Sequence, residues 1–322
     1  MGLRSDWRGK MTRWAYRRAG DDTLPRVLHA RRIYILPTAT GLFFALVVTV
    51  MLIAGLNYNN SLGLLLAFLS GAFMLVGMLD CQRNLKGLAI LKAEAMDCFA
   101  GEAAQLHIEF ENAARSARHA LRLRHESGSA REFELEAGGL GSAILPFPTT
   151  RRGRQAPGPI TLSTTAPLGL FRAWTWLHLP VSAVVYPRPI GRAALPASAD
   201  LRQPGQHLDR AGAEQEWAAL RPFQPGDSPR SVAWKHYARG APLLVSQYQG
   251  LSGVNRILDL AAAPGADLEA RLSQLCAWLL ECEQRRENYA VRLAGKAATL
   301  GLGAEHRRES LRALALHAAP PA

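Results

Sequence analysis

The chain has 322 residues, a formal net charge of +12 and 48% hydrophobic residues. This length accommodates two modest domains and a membrane segment, and the apolar residues concentrate in one early block. The four cysteines are Cys81, Cys98, Cys276 and Cys282, and none belongs to a CxxC pair. This usage argues against a zinc site and structural disulfides, and indicates a reducing compartment.

The N-terminal segment 1–34 is strongly basic, with nine Lys or Arg against three Asp in residues 1–32. A basic excess is typical of contact with nucleic acid or with a membrane surface, and its place beside an apolar block favours the membrane. Leu3, Trp7, Met11 and Trp14 recur at helical spacing among Arg and Lys. The pattern predicts an amphipathic helix on an anionic leaflet. A disordered basic tail that only sets topology is the alternative.

Two uncharged apolar stretches follow within residues 35–80, at about 38–56 and 61–79. Each is long enough to cross a hydrocarbon core of ~30 Å. Only the polar tetrapeptide 57–60 separates them, and it favours a tight turn. The sequence therefore predicts a transmembrane helical hairpin whose two ends lie on the same side of the bilayer.

The flanking charges predict which side that is. Arg31 and Arg32 precede the first stretch, Arg83 and Lys86 follow the second, and the connecting loop has no cation. The positive-inside rule places both termini in the cytoplasm of a multi-pass inner-membrane protein. A signal peptide is disfavoured because the apolar stretch begins late and a second one follows it. A helical hairpin buried in a soluble core remains the other alternative.

Residues 85–190 change to short stretches in which apolar and polar residues alternate. Several strands at such spacing, punctuated by Gly, Pro and Asn, predict a β-rich, sandwich-like domain. The predicted strands lie at 105–111, 121–124, 133–136, 160–163 and 183–186.

Residues 191–212 are rich in Ala, Pro, Gly and Gln and are predicted to be a linker. In the last region, 213–322, Asp227 is predicted to begin a helix that Gly240 ends. Further strands are expected at 243–248, 254–260 and 289–293, with helices at 267–288 and 305–317. Alternating strands and helices predict a small α/β unit with parallel pairing.

One stretch of this last region resembles the hallmark of the DUF58 family of bacterial membrane-associated proteins. The matching residues are Arg221, Pro225, Gly226, Asp227, Arg230, Trp234, Lys235 and Arg239. The upstream pattern is also similar to the family, with an Arg-Arg-Gly turn at 151–153, Pro-Leu-Gly-Leu-Phe at 167–171 and Val-Tyr-Pro at 185–187. Ala233 and Gln247 depart from it, since polar and acidic residues are usual there.

The resemblance implies a membrane scaffold that works with a MoxR-type AAA+ ATPase in assembly or maturation of client proteins. It also implies that the α/β region is a partial von Willebrand factor A-like (vWA-like) domain. In longer family members the first strand ends in an Asp-x-Ser-x-Ser metal motif. Here Asp259 is followed by Leu260, Ala261 and Ala262, so an adhesion-type metal site is not expected.

The sequence contains no G-x-S-x-G, H-E-x-x-H or Walker A motif, and we predict a non-enzymatic protein without a cofactor. His236 near Asp227 suggests acid–base work, but capping of a helix by Asp227 is the favoured interpretation. The cations of the motif stretch then form either a structural platform between domains or a docking site for an acidic partner. A membrane-tethered nucleic-acid binder and a cell-envelope hydrolase are the competing functions.

Overall fold

The structure is a computed structural model that describes residues 23–198, 255–293 and 299–318, together with the backbone of strands 217–222 and 244–248. The chain divides into two compact units. Of the described residues, those from 23 to 186 belong to the first unit and those from 187 to 318 belong to the second. The predicted N-terminal amphipathic helix, most of the predicted linker and the motif residues from Pro225 to Arg239 lie outside the described residues.

Two long helices form the most apolar part of the first unit. Helix α1 (Ala39–Asn57) and helix α2 (Ser61–Arg83) are joined by a three-residue connection and are both long and apolar enough to cross a membrane. Their large side chains point outward, as in Phe43 and Leu62, which are 67% and 74% exposed. We call α1 and α2 together the apolar hairpin. The predicted pair of apolar helices is confirmed, and the second extends four residues further than the sequence indicated.

The rest of the first unit is built from three β-sheets. The first, in spatial order, contains β1 (Arg26–Val27), β3 (Leu88–Ala95), β5 (Ala103–Asn112) and β8 (Leu140–Pro148). The second contains β2 (Tyr34–Pro37), β11 (Phe171–Leu177), β10 (Ile160–Thr164), β6 (Arg118–His125) and β7 (Ala130–Leu135). The small third sheet contains β4 (Cys98–Phe99), β12 (Ala183–Tyr186) and β9 (Gly153–Gln155).

The four-stranded and five-stranded sheets are antiparallel throughout and contribute to one hydrophobic core. Because side chains alternate along a strand, every second one points into that core, as Leu106, Ile108 and Phe110 of β5 do. Leu121 and Leu123 of β6 join them from the other sheet. The predicted β-rich domain is confirmed in its antiparallel sheets.

Strands β1 and β2 precede the apolar hairpin, and the sequence did not predict them. The basic pattern of residues 1–34 predicts an amphipathic helix or a disordered tail, and residues from 35 onward are assigned to the apolar hairpin. Strand β1 pairs with β3, whereas β2 pairs with β11, so this segment contributes an edge strand to each of the two larger sheets. The sheets therefore contain chain from both sides of the apolar hairpin.

The second unit contains a two-stranded antiparallel pair and an α/β element. The pair is β13 (Trp217–Pro222) with β14 (Leu244–Tyr248). The α/β element is made of β15 (Asn255–Asp259), α3 (Leu268–Arg285), β16 (Asn288–Arg292) and α4 (Ala304–Leu316). Strands β15 and β16 pair in parallel, as the alternation of strands and helices predicts.

Residues 191–198 belong to this second unit, although the sequence assigned them to the linker. The main chain of Ala193 accepts a hydrogen bond of 2.8 Å from the indole of Trp278 and donates one of 3.2 Å to Gln274. The carbonyl of Pro196 accepts from the Arg256 guanidinium. The segment is therefore held against α3 and β15 by its backbone groups.

Glu287 and Arg256 form an ion pair in which both side chains are about 15% exposed or less. The hydrogen bond from Arg256 is the main cause that lowers the pKa of Glu287. A carboxylate with a lowered pKa stabilises the fold above its unfolded pKa, and this contribution is lost as pH falls through the folded value. We therefore expect the free energy of unfolding of the second unit to fall as the pH drops below the ordinary carboxyl range. In Glu287→Gln the part of this fall that comes from the Glu287 carboxylate should be absent. Urea unfolding of the full chain from pH 7 to pH 3 measures it, with exposed Glu309→Gln as the control that keeps it.

Candidate functional site

The start of α1 and the end of α2 make an extensive set of polar and close backbone contacts with the β-sheets. The N-terminus of α1 and the C-terminus of α2 are both held by the β-rich part of the first unit, at the ends of β2, β6, β10 and β11. We call this region the hairpin junction and define it by the residues that make the anchoring contacts. They are Thr38 and Gly41 on α1, Gly77 and Cys81 on α2, Asn84 after α2, Arg118 on β6, and residues 167–170 between β10 and β11.

Thr38 begins α1 and ties it to the segment 167–170. Its hydroxyl accepts a hydrogen bond of 3.1 Å from the amide of Gly41, which is the usual role of an N-cap threonine. The same hydroxyl lies 2.6 Å from the carbonyl of Gly169, to which it donates. The amide of Thr38 donates to the carbonyl of Leu170 at 2.9 Å. One residue therefore caps the helix and fixes it to the sheet connection.

Replacing Thr38 by Val removes the hydroxyl while retaining the β-branched shape. We expect Thr38→Val to lower the free energy of unfolding of the first unit by about 1–2 kcal/mol, the usual effect of losing an N-cap. Thermal unfolding of the full chain in detergent measures the change. Thr49→Val is the matched control, because the Thr49 hydroxyl only bonds to the Ala45 carbonyl within α1. An equal effect of the two substitutions would contradict the capping role.

Glycines allow the segment 167–170 to touch both helices. A Cβ at Gly41 would lie 2.0 Å from the carbonyl oxygen of Leu170, a contact that no side chain tolerates. A Cβ at Gly77 would lie 2.7 Å from Leu168 Cδ1. The side chain of Leu168 is itself 40% exposed. The segment therefore packs on α1 through backbone and on α2 through an apolar side chain.

The end of α2 is buried inside the β-rich part. Cys81 is 1% exposed and Leu85 is fully buried, and both belong to the shared core. The side-chain amide of Asn84 donates to Thr164 Oγ1 at 2.7 Å and to the carbonyl of His119 at 2.8 Å. Its oxygen accepts from the amide of His119 at 3.2 Å. Asn84 thus bridges the two neighbouring strands β6 and β10 to the helix end.

Arg118 completes the junction from β6 and is 4% exposed. Its guanidinium donates to the main-chain carbonyls of Arg83, Asn84 and Lys86 at 2.7–2.8 Å. Its Nε donates to Asn112 Oδ1 at 2.7 Å. Arg83 is the last residue of α2 and the other two carbonyls follow it, so the guanidinium lies at the negative end of the helix dipole, where orphan acceptors need donors. Burial lowers the pKa of Arg118, and the hydrogen bonds to these oxygens oppose that effect by favouring the charged form.

The polar groups of the junction connect the helices to the sheets. Its polar atoms are hydroxyl, amide and guanidinium groups that are engaged with backbone carbonyls. Among the described residues, no group of three or more His, Cys, Asp or Glu side chains is placed to hold a metal ion. What the arrangement does is to join the apolar hairpin to the sheets through both helix ends.

Asp259 stands at the carboxyl end of β15, where the resemblance would place a metal motif. Its Oδ1 accepts from the amide of Ala261 at 2.9 Å, and its Oδ2 lies 3.4 Å from Arg292 Nη1. A cationic side chain from the neighbouring parallel strand thus lies beside this carboxylate. The contact gives Asp259 a partner within the sheet.

The residues that the sequence singled out as a motif are not those that form the junction. Arg221 lies in β13, of which the structure describes only the backbone. Pro225, Gly226, Asp227, Arg230, Trp234, Lys235 and Arg239 lie outside the described residues. Sequence reasoning missed Arg118, Asn84 and Thr38. Thr38 had a readable signal, since a threonine directly before an apolar run is a typical N-cap.

Neither the protein-family models nor the curated proteins contain a match to this chain. The class of protein is therefore defined by its own architecture. It is a β-rich protein with an apolar helical hairpin of membrane-crossing length and a second α/β-containing unit.

Proposed function

We propose that this protein is a non-enzymatic scaffold of the DUF58 type, anchored in the bacterial inner membrane by the apolar hairpin. Both chain termini, the β-rich part of the first unit and the second unit lie in the cytoplasm, and that β-rich part is the sandwich-like domain of the family. The second unit is its partial vWA-like region. The observation that carries the proposal is the clasp of Arg118 on the last carbonyls of α2.

A flexible tether would not need such a clasp. A hairpin that only retained a soluble domain near the bilayer would function through a linker of any sequence. Here a buried cation, an N-cap hydroxyl and two glycine contacts fix the helices to the sheets. A fixed attachment sets the height and orientation of the β-rich part above the leaflet. Orientation matters for a protein that presents surfaces to another macromolecule.

The proposed partner is a MoxR-type AAA+ ATPase, which would supply the energy of ATP hydrolysis while this protein recruits it to the membrane. The cations of the Arg221–Arg239 stretch are the proposed contact, with an acidic surface of the ATPase opposite them. This proposal rests on the resemblance of those residues to the family motif. The net positive charge of the stretch is compatible with it.

Purification of the tagged full chain from native membranes in mild detergent tests this function. We expect an AAA+ ATPase with a Walker A sequence to co-purify, and its recovery to fall at least about tenfold with Arg230→Glu. Arg131→Glu, at an exposed position on β7 of the first unit, is the control that should retain the ATPase. Repeated purification without any AAA+ protein, after chemical crosslinking as well, would overturn the proposed partnership.

A further inference from the structure

The outer face of the five-stranded sheet carries aromatic and arginine side chains together. Tyr34 on β2 is directly opposite Trp174 on β11, and Leu36 is directly opposite Arg172. Trp174 is opposite Ser163, which in turn is opposite Arg122 on β6. Directly paired residues share a face of a sheet. We call this surface the aromatic–arginine face and define it by six residues: Tyr34, Arg122, Arg124, Arg172, Trp174 and Trp176.

The aromatic rings of this face form a connected group. The ring of Tyr34 stacks on Trp174 with centroids 5.8 Å apart and meets Trp176 edge-on at 5.1 Å. The guanidinium of Arg172 lies 6.0 Å from the centre of the Trp174 ring. Tyr34 is 49% exposed and neighbouring Leu36 is 58% exposed, so the group is open to its surroundings. Amphipathic rings beside cations are typical of the layer between bilayer and water.

The position of the face relative to the apolar hairpin follows from chain length. Helix α1 has 19 residues and spans about 28 Å, which only just matches a hydrocarbon core of ~30 Å. Its first turn must therefore lie at the edge of the hydrocarbon if it crosses. Strand β2 ends at Pro37, one residue before the N-cap. At ~3.3 Å per residue, Leu36 lies within about 7 Å of Thr38, and Tyr34 within about 14 Å.

Those distances place the end of the face nearest the helices in the headgroup layer. Subtracting the hydrocarbon from the full bilayer leaves about 5–8 Å of polar layer in each leaflet. Leu36 and Arg172 fall inside it, and Tyr34 and Trp174 lie near its outer border, at most about 6 Å beyond it when the layer is about 8 Å thick. Arg122 is 54% exposed and belongs to the same row as Trp174.

The charges of the face are distributed unevenly. Arginines lie on the two strands β6 and β11, while the acidic Glu132 and Glu134 lie on the far edge strand β7. Glu132 is 3.5 Å from Arg122, and Glu134 is 3.3 Å from His119. Strands β2, β11 and β10 carry no carboxylate, so this part of the face is aromatic and its cation is Arg172. Such a surface is complementary to anionic phosphate headgroups.

We propose that the aromatic–arginine face binds anionic phospholipid headgroups and holds the five-stranded sheet on the cytoplasmic leaflet. This inference rests on the proposed membrane crossing of the apolar hairpin. It assigns the lipid contact to a folded sheet surface, separate from the basic N-terminal segment. The Tyr34 and Trp174 rings provide the interfacial anchor, and Arg122 and Arg172 provide the preference for anionic lipid.

The test uses the full chain in nanodiscs with lipids that carry a nitroxide quencher. Subtracting the emission of Trp174→Phe from that of the unsubstituted protein isolates the Trp174 signal. We expect headgroup nitroxides to quench this signal at least about twofold more than nitroxides at the end of the acyl chain. We also expect labelled phosphatidylglycerol to quench more strongly than labelled phosphatidylcholine at equal mole fraction.

A pair of charge variants tests the origin of the lipid preference. In the double variant Arg122→Gln, Arg172→Gln, labelled phosphatidylglycerol and labelled phosphatidylcholine should quench the Trp174 fluorescence equally. Lys92→Gln is the matched control, because Lys92 is an exposed cation on the other large sheet and is also paired with a carboxylate. It should keep the preference of the unsubstituted protein. A preference that survives in the double variant, or is lost in the control, would overturn the proposal.

Three further outcomes would also overturn the proposal, and they can be told apart. If the helices resist alkaline extraction from vesicles but headgroup nitroxides leave Trp174 unquenched, the face does not touch the leaflet while the membrane anchor stands. If alkali extracts the chain, the membrane crossing fails and the lipid face fails with it. A uridine oligonucleotide that shields Trp174 from headgroup nitroxides would assign the face to nucleic acid instead.

Discussion

Arg118→Met is expected to lower the free energy of unfolding of the first unit by about 3–5 kcal/mol. Methionine fills much of the space of the arginine stem but donates no hydrogen bond. The substitution leaves the carbonyls of Arg83, Asn84 and Lys86 without their side-chain donor. It also removes one of the two donors to Asn112 Oδ1, which keeps the amide of Ala114. Buried acceptors that lose their partner carry the full cost of desolvation.

The matched control is Arg122→Met, four residues further along β6. Arg122 is 54% exposed and contacts only the exposed Glu132 among the ion pairs of the described residues. We expect this substitution to change stability by less than about 0.5 kcal/mol. Thermal unfolding in detergent, followed by tryptophan fluorescence, compares the two variants. Equal stability of Arg118→Met and Arg122→Met would show that the clasp contributes nothing.

Gly41→Ala is the second large effect, and we expect a loss of about 3 kcal/mol or more. The added methyl group would lie 2.0 Å from the carbonyl oxygen of Leu170. The helix backbone and the connection to β11 cannot move apart without a loss of stability, because the Thr38 amide donates a hydrogen bond to that same carbonyl. Relief requires α1 to move away from the sheet, which breaks the Thr38 contacts as well.

Two other glycines of the apolar hairpin provide graded controls. At Gly71 the nearest atom to an added Cβ is 4.0 Å away, so Gly71→Ala should be neutral or slightly stabilising. At Gly77 the obstacle is the end of the Leu168 side chain, which can rotate, so Gly77→Ala should fall between the two. The loss in free energy of unfolding is therefore expected to be largest for Gly41→Ala, intermediate for Gly77→Ala and smallest for Gly71→Ala. Any order in which Gly71→Ala is the most harmful would contradict the geometry of the junction.

Part of this fold could be predicted from the sequence because its signals are local, whereas strands β3, β8 and β11 were not individually predicted. Uninterrupted apolar residues identified α1 and α2, and alternation identified strands such as β5 and β10. Strands β1 and β2 were missed because edge strands of two and four residues contain too little alternation to be recognised. Their pairing depends on partners more than fifty residues away.

The junction was harder to predict because it depends on contacts between distant residues. Arg118 is the first residue of β6, an alternating strand on which Arg122 and Arg124 are exposed. A register irregularity between Arg118 and Leu121 directs it inward instead. Gly41 and Leu170 are 129 residues apart, and no local pattern indicates that they meet. The motif stretch, which gave the strongest resemblance, lies outside the described residues, so its role stays a prediction.

Labelling of two single substitutions in spheroplasts with a membrane-impermeant maleimide tests the central claim most directly. Tyr58→Cys places a thiol at the 79% exposed connection between the helices, and Glu126→Cys places one in the exposed turn after β6. The unsubstituted chain, with its buried Cys81, Cys276 and Cys282 and half-buried Cys98, gives the background. We expect Tyr58→Cys to react in intact spheroplasts and Glu126→Cys to react only after permeabilisation. Reaction of both thiols from the same side would contradict a hairpin that crosses the membrane.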